Sequence, residues 1–296
     1  MTSSFTILET ENGLRLDKIL ASRYPSYSRT YFQYLIDAKS VLLNKKPFKK
    51  KDSGGTGDSI DVTFIPSPEI SLKPQPIDFT VLFEDEHLIG INKPRGLVVH
   101  PGAGNPDQTL INGLIYYLKK IPEGGDPLRP GLVHRLDKET SGIIIAAKTS
   151  NCHALLVDMF KNREIEKHYL AICHGVPKQG TLITNIGRNP FRRQEMCVRD
   201  NGGKLAETKI TTLAHNGKKA LVLAQPKTGR THQIRVHLKH LNAPIVGDKL
   251  YGPSKNTTTP LMLHARKIKF THPITKEILE IKAPILEDFN TFIKTL

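Results

Sequence analysis

The chain has 296 residues, with 43 Lys or Arg against 28 Asp or Glu and a formal net charge of +15. That length can bury a sizeable core in one large domain or two. The basic excess calls for a polyanionic partner, nucleic acid or an anionic membrane, through steering and counterion release. No stretch reaches the roughly 20 apolar residues of a membrane span, and the first residues, Met-Thr-Ser-Ser-Phe, lack the basic and apolar regions of an export signal. Cys152, Cys173 and Cys197 are too scattered for a disulfide framework or a CxxC metal knuckle. The expectation is a soluble, cytoplasmic protein with no membrane partner.

In chain order, residues 14 to 65 form a compact pattern. Leu16, Ile19 and Leu20 lie on one helical face, and Tyr31, Tyr34, Leu35 and Ala38 on that of a second helix, which Ser26 or Ser28 can cap. Val41 to Leu43, a turn at Asn44-Lys45 and Ile60 to Phe64 predict a small sheet. Lys39, Lys45, Lys46, Lys49, Lys50 and Lys51 follow one another with no acid between. Such a run is usually a solvated face, and on the rim of a small helix and hairpin unit it also suits phosphate contacts.

Residues 66–76 carry four prolines without periodicity and read as an extended linker. Short apolar segments follow at Thr80–Phe83, Leu88–Ile91, Gly96–Val99, Ile143–Ala147, Tyr169–Cys173, Thr208–Leu213, Ala220–Ala224 and Ile268–Phe270, with helical patterns at Thr109–Lys119 and Asn151–Lys161. Strands outnumber helices and do not alternate strictly with them. This favours an α+β domain with a mixed or antiparallel sheet over a doubly wound one.

Three segments carry chemistry. In the first, His134-Arg135-Leu136-Asp137-Lys138 precedes a turn at Thr140, Ser141 and Gly142 and the β-branched run Ile143 to Ala147, which reads as a strand buried on both faces. Asp137 therefore lies in a loop among up to three cations, which favour its ionised form. A lone ionised Asp suits a nucleophile or base, and it also suits a mere turn cap paired with Arg135. In the second, Lys167-His168-Tyr169 places a hydroxyl-bearing aromatic on a strand, either to stack on an extruded base or as a half-buried sheet residue. In the third, Gly229 permits a tight turn before Arg230, His232, Gln233 and Arg235, a dense array of donors able to hold a phosphate or pair with a buried carboxylate.

Residues 14–20, Ser28-Arg29, Leu35-Ile36, 41–44 and 57–60 resemble the S4 RNA-binding domain at the expected intervals, over about the first fifth of the chain. That resemblance implies RNA held across the second helix, with Ser28, Arg29, Lys45, Lys46, Lys49, Lys50 and Lys51 as contacts. The three chemical segments, together with Ile91 to Leu97, Val99-His100-Pro101, Leu263-His264-Ala265 and His272-Pro273, resemble the pseudouridine synthases that act mainly on ribosomal RNA uridines, in the branch that carries an S4 domain.

The resemblance implies an S4 domain over 1–65, the linker over 66–76, and over 77–296 a catalytic domain built on a mixed, mainly antiparallel sheet with flanking helices. Asp137 would be the essential residue, attacking C1′ or taking the 2′ proton. Arg235 would pair with it, keep it ionised and orient it, and Tyr169 would stack on the uracil and help remove its C5 proton. Arg135 would fill the space of the flipped base, with His134, Leu136, Lys167, Arg230, His232 and Gln233 around the substrate. The isomerisation gains and loses no atoms, so no cofactor, nucleotide or metal is implied. Gly54-Gly55-Thr56-Gly57 lacks the Gly-Lys-Ser/Thr of a phosphate loop, and His237 and His240 lack a third ligand at metal spacing. The implied partner is RNA, 23S ribosomal RNA or the assembling large subunit, bound by a monomer.

Two other readings compete with this one. A kinase His-Arg-Asp loop has a different spacing, and no glycine-rich loop, Val-Ala-Ile-Lys or Asp-Phe-Gly run is present. An RNA-binding ribosome-assembly factor using the same fold would not need Asp137, Tyr169 and Arg235 together.

Overall fold

The structure is a computed structural model that describes every residue except 1, 26, 28, 66–71, 103, 104, 125–128 and 193. The chain divides into two compact units: residues 1–72 with the stretches 101–107 and 126–130, and the remainder. Six residues of the expected linker, 66–71, and both capping candidates, Ser26 and Ser28, lie outside the described residues.

The first unit consists of β1 (Thr2–Thr6), α1 (Leu16–Arg23), α2 (Arg29–Asp37), β2 (Val41–Leu43) and β3 (Ser59–Thr63). Its antiparallel sheet has the order β1-β3-β2. Asn44 and Lys45 both take positive φ at the turn after β2, a geometry Asn tolerates well. Leu16, Ile19 and Leu20 are buried as their spacing predicts, but the inner face of α2 is Phe32, Leu35 and Ile36, with Tyr31 and Tyr34 only half-buried and Ala38 exposed. The two registers share the 3–4 spacing. The polar phenol decides between them, since Tyr31 must place its hydroxyl on the carbonyl of Ile65, at 2.8 Å.

The second unit comprises β4 (Thr80–Glu84), β5 (Leu88–Lys93), α3 (Leu110–Leu118), β6 (Ser141–Ala147), α4 (Ser150–Asn162), β7 (Glu166–His174), β8 (Gly180–Arg188), β9 (Met196–Val198), β10 (Lys204–His215), β11 (Lys219–Pro226), α5 (Gln233–His240), β12 (Leu263–Thr271), β13 (Ile278–Lys282) and α6 (Glu287–Ile293). Its strands form one sheet in the order β4-β5-β6-β12-β7-β11-β10-β8-β9, with β13 on β12. Every pairing among the described residues is antiparallel except β6 with β12, so the sheet is mixed and mainly antiparallel. All seven residues of β6 are buried, as a strand covered on both faces requires. Ile143 and Ile145 pack with Leu156 of α4 and Phe270 of β12.

Gly96–Val99 is not a strand. Gly96 sits at φ +77 in a turn after Pro94, and the carbonyls of Val98 and Val99 accept the first amides of α3. The sequence reading also missed α5, whose Gln-Ile-Arg-Val-His-Leu run alternates polar and apolar like a strand. Its inner face mixes Ile234 and Leu238 with polar residues, Gln233 and His237, that find partners inside. No helix among the described residues is long and apolar enough to cross a membrane.

Candidate active site

Asp137 sits in the turn entering β6, where the Thr140 amide donates to its carbonyl at 3.1 Å. Three features fix that turn. Gly142, at φ +107, brings β6 so close to β12 that a Cβ there would lie 2.3 Å from the carbonyl oxygen of Ala265. Ser141 Oγ contacts His264 Nδ1 at 2.9 Å. Lys93, fully buried at the end of β5, donates from Nζ to the carbonyls of Pro94, Leu97 and Lys138 at 2.7, 2.9 and 3.0 Å. Burial pushes its pKa down to about 7 against the opposing pull of Glu139 and Asp137. Three carbonyls take three hydrogens, a set only the ammonium form has.

Arg235, on α5, meets Asp137 from the opposite wall. Its Nη1 donates to Asp137 Oδ2 at 3.2 Å, while Nε and Nη2 form a side-on pair with Asp248 at 2.8 and 2.9 Å. Asp248 is buried and also accepts the amides of Leu250 and Tyr251. Burial raises its pKa, but the Arg235 guanidinium outweighs this and the net value falls. Burial likewise works against the charge on Arg235, and Asp248 reverses it, so Arg235 is a permanent cation. Asp248 neutralises and orients the guanidinium, and Asp137 receives a hydrogen from Nη1, the nitrogen that Asp248 leaves free. The side chain of Asp137 is 20% exposed, and Oδ1 accepts no hydrogen bond among the described residues.

Asp137 and Arg235 line a cleft of about 530 Å³ together with Leu136, Lys167, Tyr169, Arg230 and His232. The Tyr169 hydroxyl, on β7, has no hydrogen-bond partner among the described residues. Burial, reinforced by the Asp137 carboxylate, raises its pKa, so it enters the cleft as a phenol. Burial and Lys227 push Lys167 down to about 8, and its Nζ stands 5.7 Å over the Phe160 ring. His232 has Nε2 4.0 Å from Asp137 Oδ2, and Arg230 donates from Nε to the carbonyl of Leu205. Arg135 is exposed and makes no hydrogen bond or ion pair with the described residues.

The sequence matches the RNA pseudouridylate synthase family over residues 87–240, which contain Asp137, Tyr169 and Arg235. The chain belongs to that family. It is 39% identical over 298 residues to a ribosomal large subunit pseudouridine synthase D of Neisseria meningitidis, across 96% of this chain and 79% of that protein. It is 38% identical to an uncharacterized RNA pseudouridine synthase of Bacillus subtilis, across 98% and 97%. Among solved structures, the human RNA pseudouridylate synthase domain containing 4 protein aligns with a TM-score of 0.57 and 28% identity over 72% of this chain and 91% of its own. As a pseudouridine synthase the chain is an isomerase that converts uridine in RNA to pseudouridine.

Two expectations for this synthase are corrected by the geometry. His134 is no cation beside Asp137: its Nε2 accepts the amide of Ile145 at 2.9 Å, its ring stacks on Phe160, and burial, with Lys167 nearby, drives its pKa to about 3. Gln233 is not free to donate to a substrate. Its Oε1 takes the Thr228 hydroxyl and the Arg230 amide, and its Nε2 donates to Glu207 O and Thr208 Oγ1, so it braces the turn that carries Arg230. Lys93 and Asp248 were missed as site residues. The signal for Asp248 was an acid directly after the run Pro244-Ile245-Val246-Gly247.

In the first unit, Lys45, Lys46, Lys49 and Lys51 are exposed, and Lys50 pairs with Asp37. Arg29 forks onto the buried carboxylate of Asp17, and Ser28 lies outside the described residues.

Proposed function

We propose that this synthase isomerises uridines of large-subunit ribosomal RNA, with Asp137 as its essential group. The observation that carries this is the Asp248–Arg235–Asp137 chain: a buried acid takes Nε and Nη2 of a buried arginine, and Nη1 holds one carboxylate oxygen of Asp137 while the other has no partner among the described residues. The names of the relatives support the substrate class, and the +15 charge suits it.

In the reaction the N1–C1′ bond breaks, the base turns, the C5–C1′ bond forms, and the C5 proton is exchanged for one on N1. Oδ1 of Asp137, without a partner among the described residues, is the atom that meets the ribose in this reading. Tyr169 supplies a face for the uracil, and exposed Arg135 is free to occupy the space left by the flipped nucleotide. Flipping costs a few kcal/mol, and least where the base is already unpaired. Residues 1–65 act as an S4-type RNA-binding domain joined through 66–76 to the catalytic domain over 77–296, with the exposed lysines on phosphates.

The test is a map of pseudouridines in total RNA from cells lacking the gene, complemented with wild type or Asp137→Asn. Sites in large-subunit RNA regained only with wild type are expected. Loss confined to transfer RNA would replace the substrate, and restoration by Asp137→Asn would remove Asp137 from its role.

A further inference from the structure

Tyr251 lies behind the site, 3% exposed, and no step above uses it. Its hydroxyl accepts the amide of Met196 at 2.8 Å and contacts His232 Nδ1 at 2.7 Å. A phenol carries one hydrogen. The Met196 amide is itself a donor, so among the described residues His232 Nδ1 is the acceptor for that hydrogen. With the phenol hydrogen given to Nδ1, a neutral His232 keeps its lone pair there and its own hydrogen on Nε2, the atom 4.0 Å from Asp137 Oδ2. His232 is held there at φ +56, a left-handed backbone that costs a non-glycine residue about 1 kcal/mol. The Tyr251 ring meanwhile packs edge-on to the His232 imidazole and lies 5.0 Å from the Arg235 guanidinium carbon.

We infer that Tyr251 is a positioning residue of the isomerase, fixing His232 as the Nε2–H tautomer so that a neutral donor faces Asp137 beside the charged donor Arg235. In the free enzyme 4.0 Å is too long for a hydrogen bond, and catalytic contacts of this kind tighten in the substrate complex. A neutral N–H steadies the carboxylate with less loss of nucleophilicity than a second full cation. The opposite tautomer would set a lone pair against an anion.

The surroundings are consistent with this. Burial lowers the pKa of His232; Asp137 and Asp248 pull it up, while Arg235 and Arg135 push it down, and the balance is below the ordinary imidazole value. Lys239, also on α5, faces the Tyr251 ring at 5.6 Å. A hydrogen bond given to Nδ1 favours the neutral ring further.

The inference rests on Asp137 as the reacting group, but its first test does not. In full-length protein carrying 15N-labelled histidine, with the resonance assigned through His232→Gln, His232 is expected as the Nε2–H tautomer at neutral pH; a Nδ1–H tautomer or a charged ring overturns the inference. Tyr251→Phe retains the backbone amide that Asp248 accepts. It is expected to mix the tautomers, lower kcat about 5- to 10-fold, the worth of one hydrogen bond, leave KM within twofold, and move the acid limb of kcat to higher pH. Unchanged kcat and an unchanged limb overturn it. His232→Gln, whose Nε2 can still donate, should keep severalfold more activity than His232→Leu, and equal losses also overturn it. If Asp137→Asn proves active, the proposed function fails while the tautomer result stands.

Discussion

The tetrapeptide Arg-Leu-Asp-Lys occurs twice in this chain, at residues 15–18 and at 135–138. In both copies the Leu is buried and the Lys exposed. In the first copy the Asp opens a helix and is sealed: Asp17 is 0% exposed and accepts from Arg15, Arg29 and Gln33 at 2.6–3.2 Å. Burial raises its pKa, these donors outweigh that, and the net value lies below the ordinary aspartate value. In the second copy the local Arg makes no bond to its Asp, and a distant arginine, itself tied to Asp248, supplies the one close contact. The pairing with the local Arg that was open to Asp137 is thus realised at Asp17. What separates a structural carboxylate from a reactive one is donor count: five saturating side-chain bonds at Asp17, one at Asp137 with an oxygen left for substrate.

The largest effects should divide along that line. Asp137→Asn is expected to lower kcat/KM by about 10⁴-fold or more, as loss of a central catalytic group does, with RNA affinity and melting temperature unchanged, because Arg235 remains neutralised by Asp248. A parallel loss of stability would make Asp137 structural like Asp17. Next in size, Asp248→Asn frees Arg235 to swing and leaves Asp137 to share it. A drop in kcat of about 10²-fold is expected from misplaced electrostatics, measured in single turnover, and a loss under threefold would show that Arg235 is positioned without Asp248.

Asp17→Asn should do the reverse. Leaving Arg15 and Arg29 with a neutral partner should cost about 2 kcal/mol of stability in urea unfolding, below the full price of a buried pair because both arginines are partly solvated. The single-turnover rate should stay within twofold. The pH sign follows from the lowered pKa: Asp17 contributes stability above about pH 4, and that contribution disappears as pH falls through its folded value. The wild type minus variant difference should therefore shrink on acidification, and growth of that difference would contradict the ion-pair account.

How far the sequence carried depended on what each residue answers to. β6, α3 and α4 were legible because burial imposes a period on their own residues, and Asp137, Tyr169 and Arg235 because motifs mark them. His134, Gln233 and Tyr251 were not, since nothing local says that His134 will face the Ile145 amide, that Gln233 will spend all its hydrogen bonds bracing a turn, or that Tyr251 will meet Met196. The partners of these polar groups lie 11 to 55 residues away for His134 and Tyr251. Periodicity reports which side of an element is dry, but leaves open which buried polar atom finds which other.

The smallest expected effect concerns the basic run of the first unit, where the same donor count predicts a split within one lysine cluster. Lys50 is tied to Asp37, so its charge is already partly spent, whereas Lys45, Lys46, Lys49 and Lys51 are exposed. If they lie on phosphates, each releases a counterion on binding, and each charge removed should lower the slope of log K against log salt by about 0.7–0.9. Replacing the four by Gln should therefore flatten the slope by about 3, while Lys50→Gln changes it by well under one unit. Equal effects per lysine would mean that Asp37 releases Lys50 to the RNA; no change from the four would move the RNA path off this face.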